Sequence, residues 1–112
     1  MESLPHISVL PKETMEQLQP RSGGTYCDGT LGAGGHTWQL LNASAPDGRV
    51  ICIDRDQLAI RTAKERLGSD ASRAQFVHGS FEDMDQHLAS LGITQVDGIL
   101  LDLGVSSMQL DL

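Results

Sequence analysis

Four short runs of β-prone residues alternate along this chain with three stretches whose apolar positions recur at helical spacing. The strand-like runs are Thr25-Tyr26-Cys27-Asp28, Arg49-Val50-Ile51-Cys52-Ile53-Asp54, Gln75-Phe76-Val77-His78 and Val96-Asp97-Gly98-Ile99-Leu100-Leu101-Asp102. The second is apolar at consecutive positions, which suits a parallel strand buried on both faces. Trp38 and Leu41, three apart, predict a helix over residues 34–42. Ala59, Ala63 and Leu67 recur every four residues with Ile60 beside them, and predict a helix from Asp56 to Leu67 that Gly68 closes. Phe81, Met84, Leu88 and Leu91 predict a third helix, stopped at Gly92. Ahead of all these, Met15 and Leu18 place one short helix, Lys12 to Leu18, between Pro11 and Pro20. Residues 1–20 therefore read as a leader with a short helix, and residues 21–112 as one α/β domain. The alternation argues a parallel sheet with helices on both faces.

The turn between the first strand and the first helix carries the chemistry. Gly29, Gly32, Gly34 and Gly35 crowd into a few positions after Asp28. Glycines there let a ligand approach the main chain, and the helix start offers free N–H groups. The spacing is not the dinucleotide fingerprint G-x-G-x-x-G, because Thr37 stands where the third glycine should be. Asp28 would repel a pyrophosphate and favour a ligand with positive charge, such as an amino group or a sulfonium. S-adenosylmethionine carries both. A dinucleotide enzyme and a glycine-rich turn with no ligand remain the alternatives at this point.

Acids recur at the predicted strand ends. Asp54 ends the second strand, where a carboxylate can bind both hydroxyls of a ribose; the alternative is a helix cap, a post that Asp56 could fill. Asp102 ends the fourth strand. In a parallel sheet these ends share one crevice with Asp28, and three acids gathered there expect a polar or cationic ligand. Phe81 lies just past the third strand, so its ring either opens the core stripe of the third helix or packs against an adenine.

Composition narrows the classes. A chain of 112 residues with 39% hydrophobic and 21% charged positions suits one small packed domain rather than disorder. The net charge of −7 lacks the basic footprint of a nucleic-acid binder. Any RNA contact must come from a local patch or from sequence outside this chain, and Arg61, Lys64 and Arg66 read as a solvated helix face. No apolar run approaches the ~18–20 residues of a membrane span. The start Met1-Glu2-Ser3-Leu4-Pro5-His6 has neither the basic start nor the apolar core of a signal peptide, so a cytoplasmic protein is expected. Cys27 and Cys52 fall in predicted strands and read as buried thiols. The histidines show no metal-ligand spacing.

With those residues in hand, the chain resembles the bacterial and mitochondrial methyltransferases that modify N4 of a cytosine in small-subunit ribosomal RNA. The matching segments are His6-Ile7-Ser8-Val9-Leu10, Asp28-Gly29-Thr30-Leu31-Gly32-Ala33-Gly34-Gly35-His36, Ile53-Asp54-Arg55-Asp56, His78-Gly79-Ser80-Phe81, and the run from Asp97 to Asp111. The last is the most specific, because general methyltransferases do not share it. The resemblance implies the N-terminal half of a Rossmann-like class I methyltransferase sheet, in strand order 3-2-1-4, with the fourth strand an exposed edge. The C-terminal strands and an inserted helical domain would be missing, leaving a fragment or a truncated relic.

The resemblance also implies S-adenosylmethionine as cofactor. Gly34, Gly35 and His36, in the loop with Gly32, would meet its methionine end. Asp28 would reach the amino group directly or through the loop. Asp54 would hold the ribose and Phe81 the adenine. Asp102 and Gln109 would close the site, with Asp102 also the catalytic acceptor. The partner would be small-subunit ribosomal RNA or the subunit itself. A non-catalytic cofactor-binding fragment and an NAD-type oxidoreductase are the rival readings.

Overall fold

The computed structural model describes residues 12–29, 35–101, 104–106 and 110–111. In chain order the elements are α1 (Lys12–Leu18), β1 (Thr25–Asp28), α2 (Gly35–Ala43), β2 (Arg49–Asp54), α3 (Gln57–Leu67), β3 (Ala74–His78), α4 (Met84–Ser90), β4 (Gln95–Val96), β5 (Gly98–Leu101), β6 (Gly104–Ser106) and β7 (Leu110–Asp111). Single turns of 3₁₀ helix cover Phe81–Asp83 and a longer one Gly68–Arg73. One five-stranded sheet runs β3-β2-β1-β5-β6. Its first four strands are parallel, and β6 joins β5 antiparallel. β4 and β7 form a separate antiparallel pair.

Strand alternation sorts the core into two layers. Tyr26, Val50, Cys52 and Leu100 face one way and pack under Leu18, Leu40, Leu41, Ile60, Ala63 and Leu67, so α1, α2 and α3 cover that face. Cys27, Ile51 and Ile53 face the other way and meet Leu88, Ile93 and Val96. Trp38 packs against the first layer, as expected for the lone tryptophan. Both cysteines are buried free thiols. Gly98 lets α1 pack close: a Cβ there would lie 2.6 Å from Leu18 Cδ1, which would have to shift. Helix α3 begins at its cap Asp56, whose carboxylate accepts from Leu58 N, and ends at Gly68 with φ of 56°. Arg61 and Lys64 are exposed, and Lys64 Nζ sits 5.3 Å from the centroid of the Phe76 ring.

Three expectations are corrected. The fourth strand is broken at Asp97 into β4, which pairs with β7, and β5, which pairs with β1; at the break the Asp97 N–H donates to Thr25 O at 2.7 Å, and its carboxylate accepts from Thr25 N at 2.9 Å and from Arg21 Nη2 at 3.0 Å. The strand β5 is not an exposed edge, since β6 pairs with it. The third helix is delayed by one turn: the Ser80 hydroxyl accepts from Glu82 N and starts a 3₁₀ turn, and α-helix begins only at Met84. The order of the strands shared with the expectation, β3-β2-β1-β5, is the one expected for 3-2-1-4.

Candidate cofactor site

A cleft of about 330 Å³ opens at the carboxyl ends of β1, β2 and β3. Gly29, just past β1, forms one wall; Asp54, at the end of β2, another; Ser80 and Phe81, just past β3, a third. Crevices at the carboxyl ends of parallel strands are where open α/β sheets bind ligands. The volume lies within the ~300–1,000 Å³ typical of small-molecule sites.

Asp54 is held rather than free to swing. Its Oδ1 accepts from Asp56 N at 2.8 Å, and its own carbonyl accepts from Gly79 N at 2.9 Å. Asp56, not Asp54, caps α3, with Oδ1 accepting from Leu58 N at 2.8 Å. The cap is thus accounted for without Asp54, whose carboxylate lines the cleft. At the rim, Arg55 Nη2 donates to Ser80 Oγ at 3.2 Å and stands 3.9 Å from Glu82. Both charged side chains are largely exposed, so this pair contributes under about 1 kcal/mol.

Phe81 meets the core reading and also borders the cleft. Its half-buried ring packs against the layer of Ile51, Ile53 and Leu88 and also lines the cleft. Gly29 lies flat against that ring: a Cβ at Gly29 would come within 2.3 Å of Phe81 Cδ1. Gly29 N donates to Leu100 O at 2.9 Å, tying the start of the glycine-rich loop to β5. Just past β3, a Cβ at Gly79 would lie 2.7 Å from the His87 ring, and His87 Nε2 pairs with Ser80 O at 3.1 Å. The turn carrying Phe81 is therefore held by Gly29 and by His87.

Asp28 sits apart from this cleft. It is fully buried, on the strand face it shares with Tyr26, and Thr37 Oγ1 donates to its Oδ2 at 2.6 Å. The same hydroxyl lies 3.3 Å from Cys52 Sγ. Burial, and then the Asp28 carboxylate, pushes the Cys27 thiol up to about 12. Cys52 is raised by the same causes in the same order, against the hydrogen bond to Thr37. Among the three strand-end acids, then, Asp54 faces the cleft and Asp28 turns under α2; Asp102 lies outside the described residues. Gly32, Gly34 and Gln109 also lie outside them. Gly35 opens α2 and His36 follows it, half-buried, in the first turn. Sequence reasoning missed Thr37 as the buried partner of Asp28, although its presence in place of a third glycine was the available signal.

The sequence profile of the MraW methylase family matches residues 3–112. This chain belongs to the MraW methylase family. The MraW-family segment is 53% identical over 111 residues to a ribosomal RNA small subunit methyltransferase H from Citrifermentans bemidjiense, covering 99% of this chain and 36% of that protein. It is 54% identical over 111 residues to the protein of that name from Trichlorobacter lovleyi, again 99% of this chain and 36% of the relative. The chain thus spans about a third of the length of the curated relatives it matches. Among solved structures, it resembles the C-terminal domain of precorrin-6Y C5,15-methyltransferase from Rhodobacter capsulatus, with TM-score 0.62 and 20% identity over 80% of this chain and 46% of that one. It also resembles the O-methyltransferase TomG from Streptomyces achromogenes, with TM-score 0.61 and 21% identity over 86% of this chain and 45% of that one. These likenesses show a Rossmann-like methyltransferase fold. No described helix is long and apolar enough to cross a membrane.

Proposed function

We propose that this MraW-family chain is the cofactor-binding part of an S-adenosylmethionine-dependent enzyme that methylates the N4 amine of a cytosine in small-subunit ribosomal RNA. The partner is that RNA or the assembled subunit, and the compartment is the cytoplasm. The observation that carries the reading is the cleft in which Asp54 ends β2 opposite the Phe81 ring. A carboxylate at that position accepts both ribose hydroxyls, and a half-buried aromatic ring offers a face to an adenine. An NAD enzyme would use the same ribose device; family membership favours methylation.

When bound, the cofactor supplies a methyl group on a sulfonium. Asp54 and Phe81 hold its nucleoside, and Gly34, Gly35 and His36 its methionine end. Asp28 acts through the loop, because its carboxylate is buried against Thr37. Asp102, the residue after the end of β5, accepts a hydrogen bond from the cytosine amine. That makes the nitrogen lone pair more available and stabilises positive charge as it develops. Gln109 closes the site.

Calorimetry on the full-length protein tests this. Asp54→Ala should weaken S-adenosylmethionine binding about a hundredfold, since two hydrogen bonds to a charged acceptor are lost. Asp56→Ala should lower stability by about 1 kcal/mol through the lost cap and leave affinity within about twofold. Unchanged affinity in Asp54→Ala removes the ribose assignment. Binding of NADH in place of S-adenosylmethionine supports the oxidoreductase, and cofactor binding without methylation of small subunits supports a non-catalytic module.

A further inference from the structure

The connection that follows Asp54 is fastened by a residue outside the cleft. Asp54 Oδ1 accepts from Asp56 N at 2.8 Å. His78, the register partner of Asp54 at the end of β3, places Nε2 2.8 Å from Arg55 O. The Arg55 carbonyl and the Asp56 N–H belong to one peptide unit, which is planar and rigid. That plane is therefore held at both ends, by His78 on its oxygen and by Asp54 on its nitrogen. A carbonyl only accepts, so Nε2 carries the ring proton. Nδ1 is then the acceptor for Gln57 Nε2, 3.2 Å away. One imidazole thus ties the first residues of the β2–α3 connection to the neighbouring strand.

We infer that His78 is a positioning residue for ribose recognition: through the Arg55–Asp56 peptide it fixes the direction of the Asp54 carboxylate. It touches no ligand itself. If the plane turned, the Asp56 N–H would leave Oδ1, and the carboxylate would lose the bond that sets its orientation. His78 is exposed, so exchanging it disturbs no buried packing. This inference rests on the assignment of Asp54 to the ribose.

The test uses side-chain reach. The glutamine amide nitrogen extends about as far as Nε2, whereas the asparagine nitrogen extends only as far as Nδ1. His78→Gln keeps a donor for Arg55 O and His78→Asn does not. The readout is the ratio of dissociation constants, on the full-length protein, for 2′-deoxy-S-adenosylhomocysteine and S-adenosylhomocysteine. The wild type should prefer the ribose form. His78→Asn should reduce that preference about three- to tenfold, the scale of one lost hydrogen bond, and His78→Gln should retain it. A general loss of stability would weaken both ligands alike and leave the ratio unmoved. Wild-type preference in His78→Asn, or an equal loss in both variants, overturns the role of His78 while the Asp54 assignment stands. No preference in the wild type overturns that assignment, and the inference with it.

Discussion

Asp28 is a carboxylate with no exposure, and its surroundings show how such a group is accommodated. Thr37 donates to it at 2.6 Å, and the two thiols beside it stay protonated because burial and its negative charge both oppose a thiolate. This gives stability a pH dependence. Below about pH 9 the thiols hold their protons in both the folded and the unfolded chain, and they contribute no slope. Between 9.0 and about 12, Cys27 ionises only when unfolded. The folded state then binds more protons, so stability falls as pH rises, by about 1 kcal/mol per pH unit for each such thiol. Urea denaturation at pH 8 and pH 10 should show this fall, and Cys27→Ala should make it shallower. Equal slopes in the two proteins would mean that Cys27 is not the titrating group. The sequence placed Asp28 correctly at a strand end but not its direction. Its position two residues from Tyr26 puts both on one face, and only the packing of α2 over that face reveals that the face is closed.

Among the elements, the turn after β1 and the turn after β3 fit closely. Gly29 lies against Phe81, and a Cβ there would overlap the ring. The ring cannot withdraw easily, because it packs against the core layer that contains Ile53 and Leu88. Gly29→Ala should therefore destabilise the fold by about 1–3 kcal/mol, the usual range for overpacking. A smaller side chain opposite should relieve it. In a cycle of Gly29→Ala, Phe81→Leu and the double variant, denaturation should give a coupling above about 0.5 kcal/mol. Additive losses would show that the two turns do not press on one another. The elements themselves were legible where one period ran long enough: α3 followed from Ala59, Ala63 and Leu67, and β2 from its unbroken apolar run. The break at Asp97 was not legible, because it depends on partners far away in the chain, β7 for β4 and β1 for β5. Nor was β6, which is three residues long and gains its place only by pairing with β5. That Asp54 and Phe81 border the cleft was legible from their positions at the strand ends. The part of Thr37 and the grip of His78 depend on contacts between elements, which no local pattern carries.

At the scale of the molecule, the sheet has unlike edges. β1 and β2 are flanked by strands on both sides, and helices cover both their faces. β3 pairs with β2, and among the described residues no strand pairs its outer edge. β5 is flanked by β1 and by β6, through the register Ile99 to Ser106 and Leu101 to Gly104. Amide exchange reports this asymmetry, because amides bonded inside a packed sheet exchange only through larger openings. In an edge strand, alternate amides point outward and exchange through small fluctuations. The amides of Cys27, Asp28, Ile51 and Cys52 should therefore be the slowest. The outward-pointing amides of β3 should be among the fastest in the sheet. β5 decides whether the five-stranded order holds. With β6 in place, Ile99 and Leu100 should both be protected; without it, one of the two would exchange as fast as the outer amides of β3. That second outcome would restore the bare fourth-strand edge expected from the sequence, and with it an open ladder prone to pairing with other chains.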